Sequence, residues 1–264
     1  MSLPDSARLT RIRIYPIKSL DGVDLDHVGI QGLGGLVGDR EYRVVDELGR
    51  VMNAKREGET ITRIRARFGS NGRVVDLERD DNEGRFWLPD DLSEMSLWLG
   101  AQFGETVRVE RNATIGFPDD TDASGPTIVS RATLLEAASW FLWDEEEARR
   151  RFRANLEVDG VPAFWEDGLY GEKGEQRIVK IGGAAVEAVN PCARCAVPSR
   201  DPDSGEIEDP GFAKTFAGRR RETLPGWARA SRFDHFYRLA VNTRIPAAQA
   251  GRTITVGDRV ELAQ

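Results

Sequence analysis

The stretch NPCARCAVPSRDPDSGE, residues 190–206, holds both cysteines of the chain, Cys192 and Cys195, in a C-x-x-C spacing. Several chemistries use that spacing: a dithiol that closes as a disulfide, half of a metal site, or one thiolate ligand beside a structural neighbour. A thioredoxin-type dithiol needs its first cysteine at a helix amino terminus. Here the pair follows a strand-like AAVEAVN and precedes a proline and a turn-rich stretch. A zinc set could draw on His27 and His235, the only histidines, but His27 sits in the strand-like VDLDHVGI, far away in sequence. Buried thiols packed as small hydrophobes are the plainest alternative. The chain has no H-E-x-x-H and no Ser-His-Asp spacing, so triad hydrolysis has little to stand on.

The elements that must position these cysteines belong to a folded chain. Hydrophobic residues make up 40% and charged residues 31%, with six Trp and eleven Phe, which excludes a disordered protein. Apolar runs are only a few residues long, so no membrane span is expected. The amino terminus, MSLPDSARLTRIRIYPIKS, alternates and lacks an apolar core, so no signal peptide is expected and a cytoplasmic location follows. A reducing cytosol also suits a lone C-x-x-C. The net charge of −7 argues against nucleic-acid binding, and any anionic ligand must be held by locally placed cations.

Over the first hundred or so residues, short alternating segments are separated by turn residues such as Leu20-Asp21-Gly22, Glu47-Leu48-Gly49, Ser70-Asn71-Gly72 and Glu83-Gly84. RLTRIRIYPIKS, VDLDHVGIQ, REYRVVDE, RVMNAK, ITRIRARF, RVVDLER and RFWLP are expected to be strands. DDLSEMSLWLG is the one possible short helical piece there. From Ser130 the period changes: SRATLLEAASWFL predicts a helix presenting Leu134, Leu135, Ala138, Phe141 and Leu142 on one face. Asp144 caps a second helix, DEEEARRRF, whose acids lead and arginines trail as the macrodipole favours. Strands resume in LEVDG, IVKIGGAAVEAVN, FYRLAVN and TITVGDRVEL. The expected fold is mainly β with a small helical insertion (α+β), in two β-barrel-like units, residues 1–103 and 104–264.

Three features carry less than they suggest. QGLGGLVGD is glycine-rich, but the alternating EYRVVDELGRV follows it instead of a helix, so it reads as a turn between strands and not a dinucleotide loop. DPDSGE lacks the later ligands of a calcium loop and reads as a tight turn. The arginine runs 149–151 and 219–221 read as solvated faces.

RFRAN (151–155), LEVDG, a further strand, and NPCARC followed by DPDSGE together resemble the MOSC domain, named after the carboxy-terminal domain of molybdenum cofactor sulfurase. YPIKSLDG followed by GDREYRVVDELGRVMNAKRE resembles the β-barrel domain that precedes it in many members, and GRTITVGDRVEL resembles the family's ending. This ordered set spans the chain and points to the branch containing the mitochondrial amidoxime-reducing component and its bacterial counterparts.

The resemblance implies a molybdenum cofactor (molybdopterin) held between the two units. It makes Cys195 the thiolate ligand to the metal and the catalytic position, with Cys192 a structural neighbour. It assigns the cofactor to Lys18 and Ser19 of YPIKS, Arg40 of GDREY, Arg153 and Asn155 of RFRAN, and Arg194 beside the ligand cysteine. Ser130 and Arg131 match a lining segment, and Tyr237 falls near a family tyrosine. Two positions depart from the pattern: Ala154 where relatives often have Pro, and Ala193 where they often have Ser or Thr.

The implied function is a molybdenum-dependent oxidoreductase that reduces N-hydroxylated compounds: amidoximes, hydroxylamines or N-hydroxylated bases. With no flavin, haem or ferredoxin motif in the chain, electrons would come from a separate electron-donor protein, a flavin reductase, ferredoxin or haem carrier. Two other classes remain open from the sequence: a cofactor-binding or persulfide-carrying protein without turnover, and a thiol redox protein in which Cys192 matters as much as Cys195.

Overall fold

The computed structural model describes residues 7–69 and 72–263. The alternating RLTRIRI forms β1 (Arg8–Ile14), and the chain continues through β2 (Val23–Leu25), β3 (His27–Gly29) and β4 (Tyr42–Asp46). A short α1 (Gly58–Thr62) leads into β5 (Arg65–Phe68), β6 (Val74–Arg79) and β7 (Asn82–Trp87), then α2 (Leu92–Phe103) and β8 (Val107–Arg111). After β9 (Ile128–Ser130) come α3 (Arg131–Ser139), α4 (Glu145–Phe152) and β10 (Leu156–Asp159). The remainder is β11 (Arg177–Ile181), β12 (Ala184–Ala193), α5 (Phe212–Glu222), β13 (Arg238–Arg244), β14 (Thr253–Thr255) and β15 (Val260–Leu262). Fifteen strands against five α-helices make the described chain mainly β.

Eight strands form one sheet in the order β15-β11-β12-β13-β9-β10-β1-β2, with only β9 and β10 parallel. The amino-terminal strand therefore belongs to the carboxy-terminal sheet. Strict alternation would put Leu9 and Ile12 on opposite faces of β1, yet both are fully buried. The pairing of β1 with β10 shifts register between Leu9 and Arg11, and that bulge returns Ile12 to the core side. The sheet also curls on itself: Leu9 N donates to Asp258 O (2.9 Å) and Val260 N to Ala7 O (3.1 Å). Its strand order nevertheless stays open. The amino-terminal unit is not a closed barrel either, since β4 pairs with β8 while β5, β6 and β7 form a separate sheet. The expected division at 103/104 lies between α2 and β8.

The core is in three clusters that do not part at that position: Ile12 and Ile30 join the first, whereas Val107 and Val109 join the second. One cluster, including Ile12, Leu156, Val186 and Val241, fills the large sheet. A second, including Ile17, Val44, Leu77 and Leu99, fills the amino-terminal unit, and a third packs α3, α4 and α5 through Phe152, Phe212 and Phe216.

Several local expectations change. RVMNAK is not a strand; only Val51 bridges, to Val45, because the chain turns at Asn53, whose Oδ1 accepts from Lys55 N (2.9 Å). ITRIRARF divides between α1 and β5. The short helical piece is a twelve-residue α2, ended by Gly104 at φ 72°, although only Met95 and Leu99 along it are buried. Helix α3 stops at Ser139, so Leu142 (φ 59°) is 95% exposed and Leu135 points outward, while Leu134, Ala137 and Ala138 make the buried face. The arginine runs are not simply solvated: Arg151 and Arg220 are buried. Arg220 follows Phe212 and Phe216 down the inner stripe of α5, a helix missing from the sequence-based expectation. Of the Ser70-Asn71-Gly72 turn, Ser70 and Asn71 lie outside the described residues, as do residues 1–6 of the amino-terminal segment.

Candidate functional site

Strand β12 delivers the cysteines. Ala184, Val186 and Ala188 alternate into the core, but pairing with β13 shifts register between Ala188 and Asn190 and again between Pro191 and Ala193. Pro191 has no N–H to give a ladder, so a bulge is where a strand can carry it. The strand end turns, and Asn190, Cys192, Arg194 and Cys195 all line one cavity of about 860 Å³. Both thiols are half-buried and free. Cys195 Sγ accepts from Val197 N at 3.5 Å, at the start of a 3-10 turn over Val197–Ser199. Cys192 Sγ accepts from Arg194 Nη1 at 3.2 Å.

The turn that follows docks on the amino-terminal unit and roofs part of the cavity. Asp201 Oδ1 accepts from Asp203 N (3.0 Å) and Ser204 N (2.6 Å), which makes DPDSGE the expected tight turn. Gly205 sits at φ 77° against α1, where an added Cβ would lie 2.5 Å from Gly58 O, so this position requires glycine.

The opposite wall comes from the amino-terminal unit: Tyr15, Lys18, Ser19 and Arg40. Arg153 and Asn155, just past α4, meet them there. Asp144 Oδ1 caps α4 by accepting from Glu147 N (2.7 Å), and Arg153 ends it in the left-handed conformation at φ 51°. Ser19 (φ 74°) and Arg40 (φ 51°) are held the same way. Among the described residues seven non-glycine residues have positive φ, and these three face one cavity. Such backbones persist only where surrounding packing imposes them, and they cluster at sites that must aim side chains.

Charge on this wall is unbalanced. The cavity is lined by eleven Lys and Arg against five Asp, in a chain whose net charge is −7. Lys18 Nζ donates to Phe117 O (3.0 Å) and pairs with Asp119 at 2.8 Å. Arg40 pairs with Asp39 and lies 3.8 Å from the other oxygen of Asp119. Inside the cavity the surrounding protein pushes a carboxyl up, yet Arg40 and Lys18 hold Asp119 below the ordinary carboxylate range. Arg153 has no carboxylate within ion-pair distance among the described residues; it donates to Leu20 O (2.6 Å) and lies 4.1 Å over the Tyr15 ring. Burial, with Arg40 and Arg13 nearby, pulls its guanidinium below the ordinary value, and burial raises the Tyr15 phenol. A cation in that position is short of negative charge.

Of the other expected residues, Asn155 is buried on the wall with its amide occupied: Nδ2 donates to Arg13 O (3.0 Å) and Asp39 Oδ1 (3.2 Å). Arg194 donates from Nη2 to Phe152 O (2.5 Å), and its buried Nε has no hydrogen-bond partner. Tyr237 does not line the cavity. Its Oη donates to Cys195 O (2.9 Å), and its ring packs edge-on against Phe216 at 5.3 Å, so it fixes the cysteine backbone from behind. Ser130 and Arg131 also lie off the cavity. Ser130 Oγ caps α3 by accepting from Thr133 N (3.0 Å), while Arg131 pairs with Glu145 (2.6 Å) and Asp159 (3.3 Å) on the outer side. Asp119, between two expected cations, was not anticipated; FPDD carries no periodicity or spacing that marks it. Ala193 lines the cavity and brings no hydroxyl to it.

Comparisons with known proteins bear on this arrangement. Residues 6–89 match the MOSC N-terminal beta barrel domain, and residues 127–261 match the MOSC domain. Mitochondrial amidoxime reducing component 2 of Macaca fascicularis is 23% identical over 243 residues, covering 76% of this chain and 68% of that protein. Mitochondrial amidoxime-reducing component 1 of Xenopus laevis is 24% identical, covering 75% and 67%. Molybdenum cofactor sulfurase of Solanum lycopersicum is 21% identical, covering 96% of this chain but 35% of that protein. Among the described residues no helix is long and apolar enough to cross a membrane. With both domain models matched in order, and the expected cysteines and cations gathered on one cavity, this chain belongs to the MOSC domain family.

Proposed function

We propose that the cavity holds a molybdenum cofactor and that the protein reduces N-hydroxylated compounds. The observation that carries the reading is one cavity shared by a half-buried thiol, Cys195, and a cluster of cations led by the uncompensated Arg153. The residues present fit such a group. About 860 Å³ is ample for a pterin, and one soft sulfur donor is what a molybdenum centre with dithiolene ligands takes from protein. The orphaned Nε of Arg194 asks for an acceptor that the protein does not provide.

When bound, the molybdenum centre supplies the two-electron chemistry that removes oxygen from an N–O bond. The chain's own residues do the rest. Cys195 supplies a thiolate and keeps it aimed through Val197 N and the Tyr237 hydroxyl. Lys18, Arg40 and Arg153 would hold a terminal phosphate, and Ser19, Arg40 and Arg153 line the cavity on left-handed backbones. Arg194, beside Cys195 in the chain and with an unpartnered Nε, would donate to a polar edge of the group. Electrons come from a separate flavin reductase, ferredoxin or haem carrier, and a reducing cytosol would keep the thiol free. The relatives named amidoxime reducing component and molybdenum cofactor sulfurase support this reading.

The test is the molybdenum content of wild type, Cys195→Ser and Cys192→Ser, each made in a host that synthesises the cofactor. Near-stoichiometric metal in wild type and Cys192→Ser, lost in Cys195→Ser, is expected. Amidoxime reduction with a chemical electron donor should then follow metal content. Absence of metal from all three overturns the reading. Stoichiometric metal without turnover on any N-hydroxylated substrate class leaves a carrier.

A further inference from the structure

The cavity has a second cationic end that the proposed function leaves unused. Its floor is a row of residues across the large sheet: Asn190 on β12, Asn242 on β13, Thr127 at the entry to β9, Asn155 at the entry to β10, and Arg13 on β1. Register makes the row continuous: Asn190 pairs with Asn242, Thr127 N donates to Asn155 Oδ1 (3.2 Å), and Arg13 N donates to Asn155 O (2.7 Å). Four steps between strands, at about 4.8 Å each, set its ends roughly 15–20 Å apart. Arg40 and Arg153 both lie over Tyr15, just past β1, and so belong to one end. Arg232 and Arg238 line the cavity at the other. Arg232 Nη2 donates to Val189 O (2.9 Å) and Arg238 Nη1 to Pro191 O (2.6 Å), so the two guanidiniums flank Asn190 on the strand that leads to the cysteines. Arg238 has a carboxylate at 2.6 Å, that of Asp234, which is 72% exposed. Arg232 has none within ion-pair distance among the described residues; it also donates to Gly171 O (2.6 Å) and lies 5.6 Å over the Tyr170 ring. Asn190 Oδ1 accepts from Asn242 Nδ2 (3.0 Å), which leaves the Asn190 amide N–H groups free to donate.

We propose that Arg232, supported by Arg238 and the Asn190 amide, is a seat for a carboxylate on the substrate. The substrate class is then N-hydroxylated compounds that also carry a carboxylic acid. One negative charge balances the one uncompensated guanidinium there, and a planar carboxylate matches its fork. A phosphate held at the β1 end cannot serve this end as well, given the span between them. The seat also adjoins the proposed metal ligand: Ala193, two residues before Cys195, pairs with Arg238 across the ladder. A chain of net charge −7 repels acids in general, so taking one up requires a local seat of this kind. The seat stands on geometry alone, whereas its part in choosing the substrate rests on the proposed function.

The experiment uses full-length protein from a host that makes the cofactor, with its molybdenum content measured. Two probes of matched shape are compared: 4-carboxybenzamidoxime and its uncharged 4-carbamoyl counterpart. Titration calorimetry gives the affinity of each, and turnover with a chemical electron donor gives kcat/KM. Wild type should bind the acid about tenfold or more tightly than the amide, the worth of a charge-assisted hydrogen bond. Arg232→Gln should erase most of that preference while binding the amide as wild type does. Arg238→Gln should narrow it in the same direction, and it carries the test if Arg232→Gln does not fold. Arg244→Gln removes an equal charge from β13 outside the cavity, where Arg244 pairs with Glu187, and should keep the preference. Equal affinity for the two probes in wild type, or a full preference in the cavity variants, overturns the seat. Turnover of both probes at equal kcat/KM overturns the substrate class and leaves the reduction reading standing. Preferential binding of the acid with turnover of neither probe establishes the seat and overturns the reduction reading.

Discussion

Two arginines in this protein share an aromatic seat and differ in everything else. Arg220 lies 4.1 Å from the centre of the Phe164 ring, and Arg153 lies 4.1 Å from the centre of the Tyr15 ring. Arg220 is buried and paired with the carboxylate of Asp167, itself buried. Arg153 has a ring, a carbonyl and an open cavity, but no acid. The comparison teaches that burial of a cation does not separate structure from function; its partners do. A guanidinium closed by a carboxylate belongs to the fold, and one left without a carboxylate at a cavity wall is free to take an anion.

The largest effect expected from this contrast is on stability. Arg220→Met strands the buried Asp167 carboxylate and should cost about 3–5 kcal/mol, read from urea unfolding. Arg153→Ala should change stability by less than about 1 kcal/mol but lower molybdenum loading about tenfold or more, the worth of one charge-assisted hydrogen bond. Equal losses of stability in the two variants would erase the distinction.

The neighbour of Asp167 sharpens it through pH. Glu166 is buried with one oxygen unpartnered, and burial beside Asp167 pushes its carboxyl from 4.5 up to about 7. Between those values the folded chain keeps a proton that the unfolded chain has released, so stability falls as pH rises. The loss is on the order of 3 kcal/mol over that window, levelling off above it. Urea midpoints at about pH 5 and about pH 8 should show this slope, and Glu166→Gln should flatten it.

The smallest effect belongs to Asp119, which sits where an anion would meet Lys18 and Arg40 and is 73% exposed. Removing this competitor in Asp119→Asn should tighten inorganic phosphate binding by up to about fivefold, the range of an exposed ion pair. Titration calorimetry at low salt would detect it, and unchanged or weaker binding would remove Asp119 from the anion seat.

Much of the β framework is legible in the order of residues. Alternation and turn residues mark β1, β4, β6 and β10 to β13, because a strand writes its buried face every second residue. The same reasoning fails where a charged side chain takes an apolar position. Arg220 interrupts the stripe of α5 that Phe212 and Phe216 begin, so the helix shows no clean period. It fails again at α3, where Leu142 continues the helical spacing after the helix has ended at Ser139. The cysteines, Lys18, Arg40 and Arg153 are nameable because motifs carry them. Ser130 and Arg131 follow the same kind of match, yet the fold turns one into a helix cap and the other outward into ion pairs.

The sequence alone determined local things: that segments such as β1, β4 and β6 extend, that Asp144 caps α4, and that a strand ends at the C-x-x-C. Each depends on residues within a few positions of one another. Tertiary structure decided which cations are satisfied. Whether Arg153 meets an acid depends on Tyr15, Leu20 and Arg40, more than a hundred residues away, and on three left-handed backbones that only the surrounding packing can hold. Charge is written residue by residue, but its compensation is a matter of distance in space.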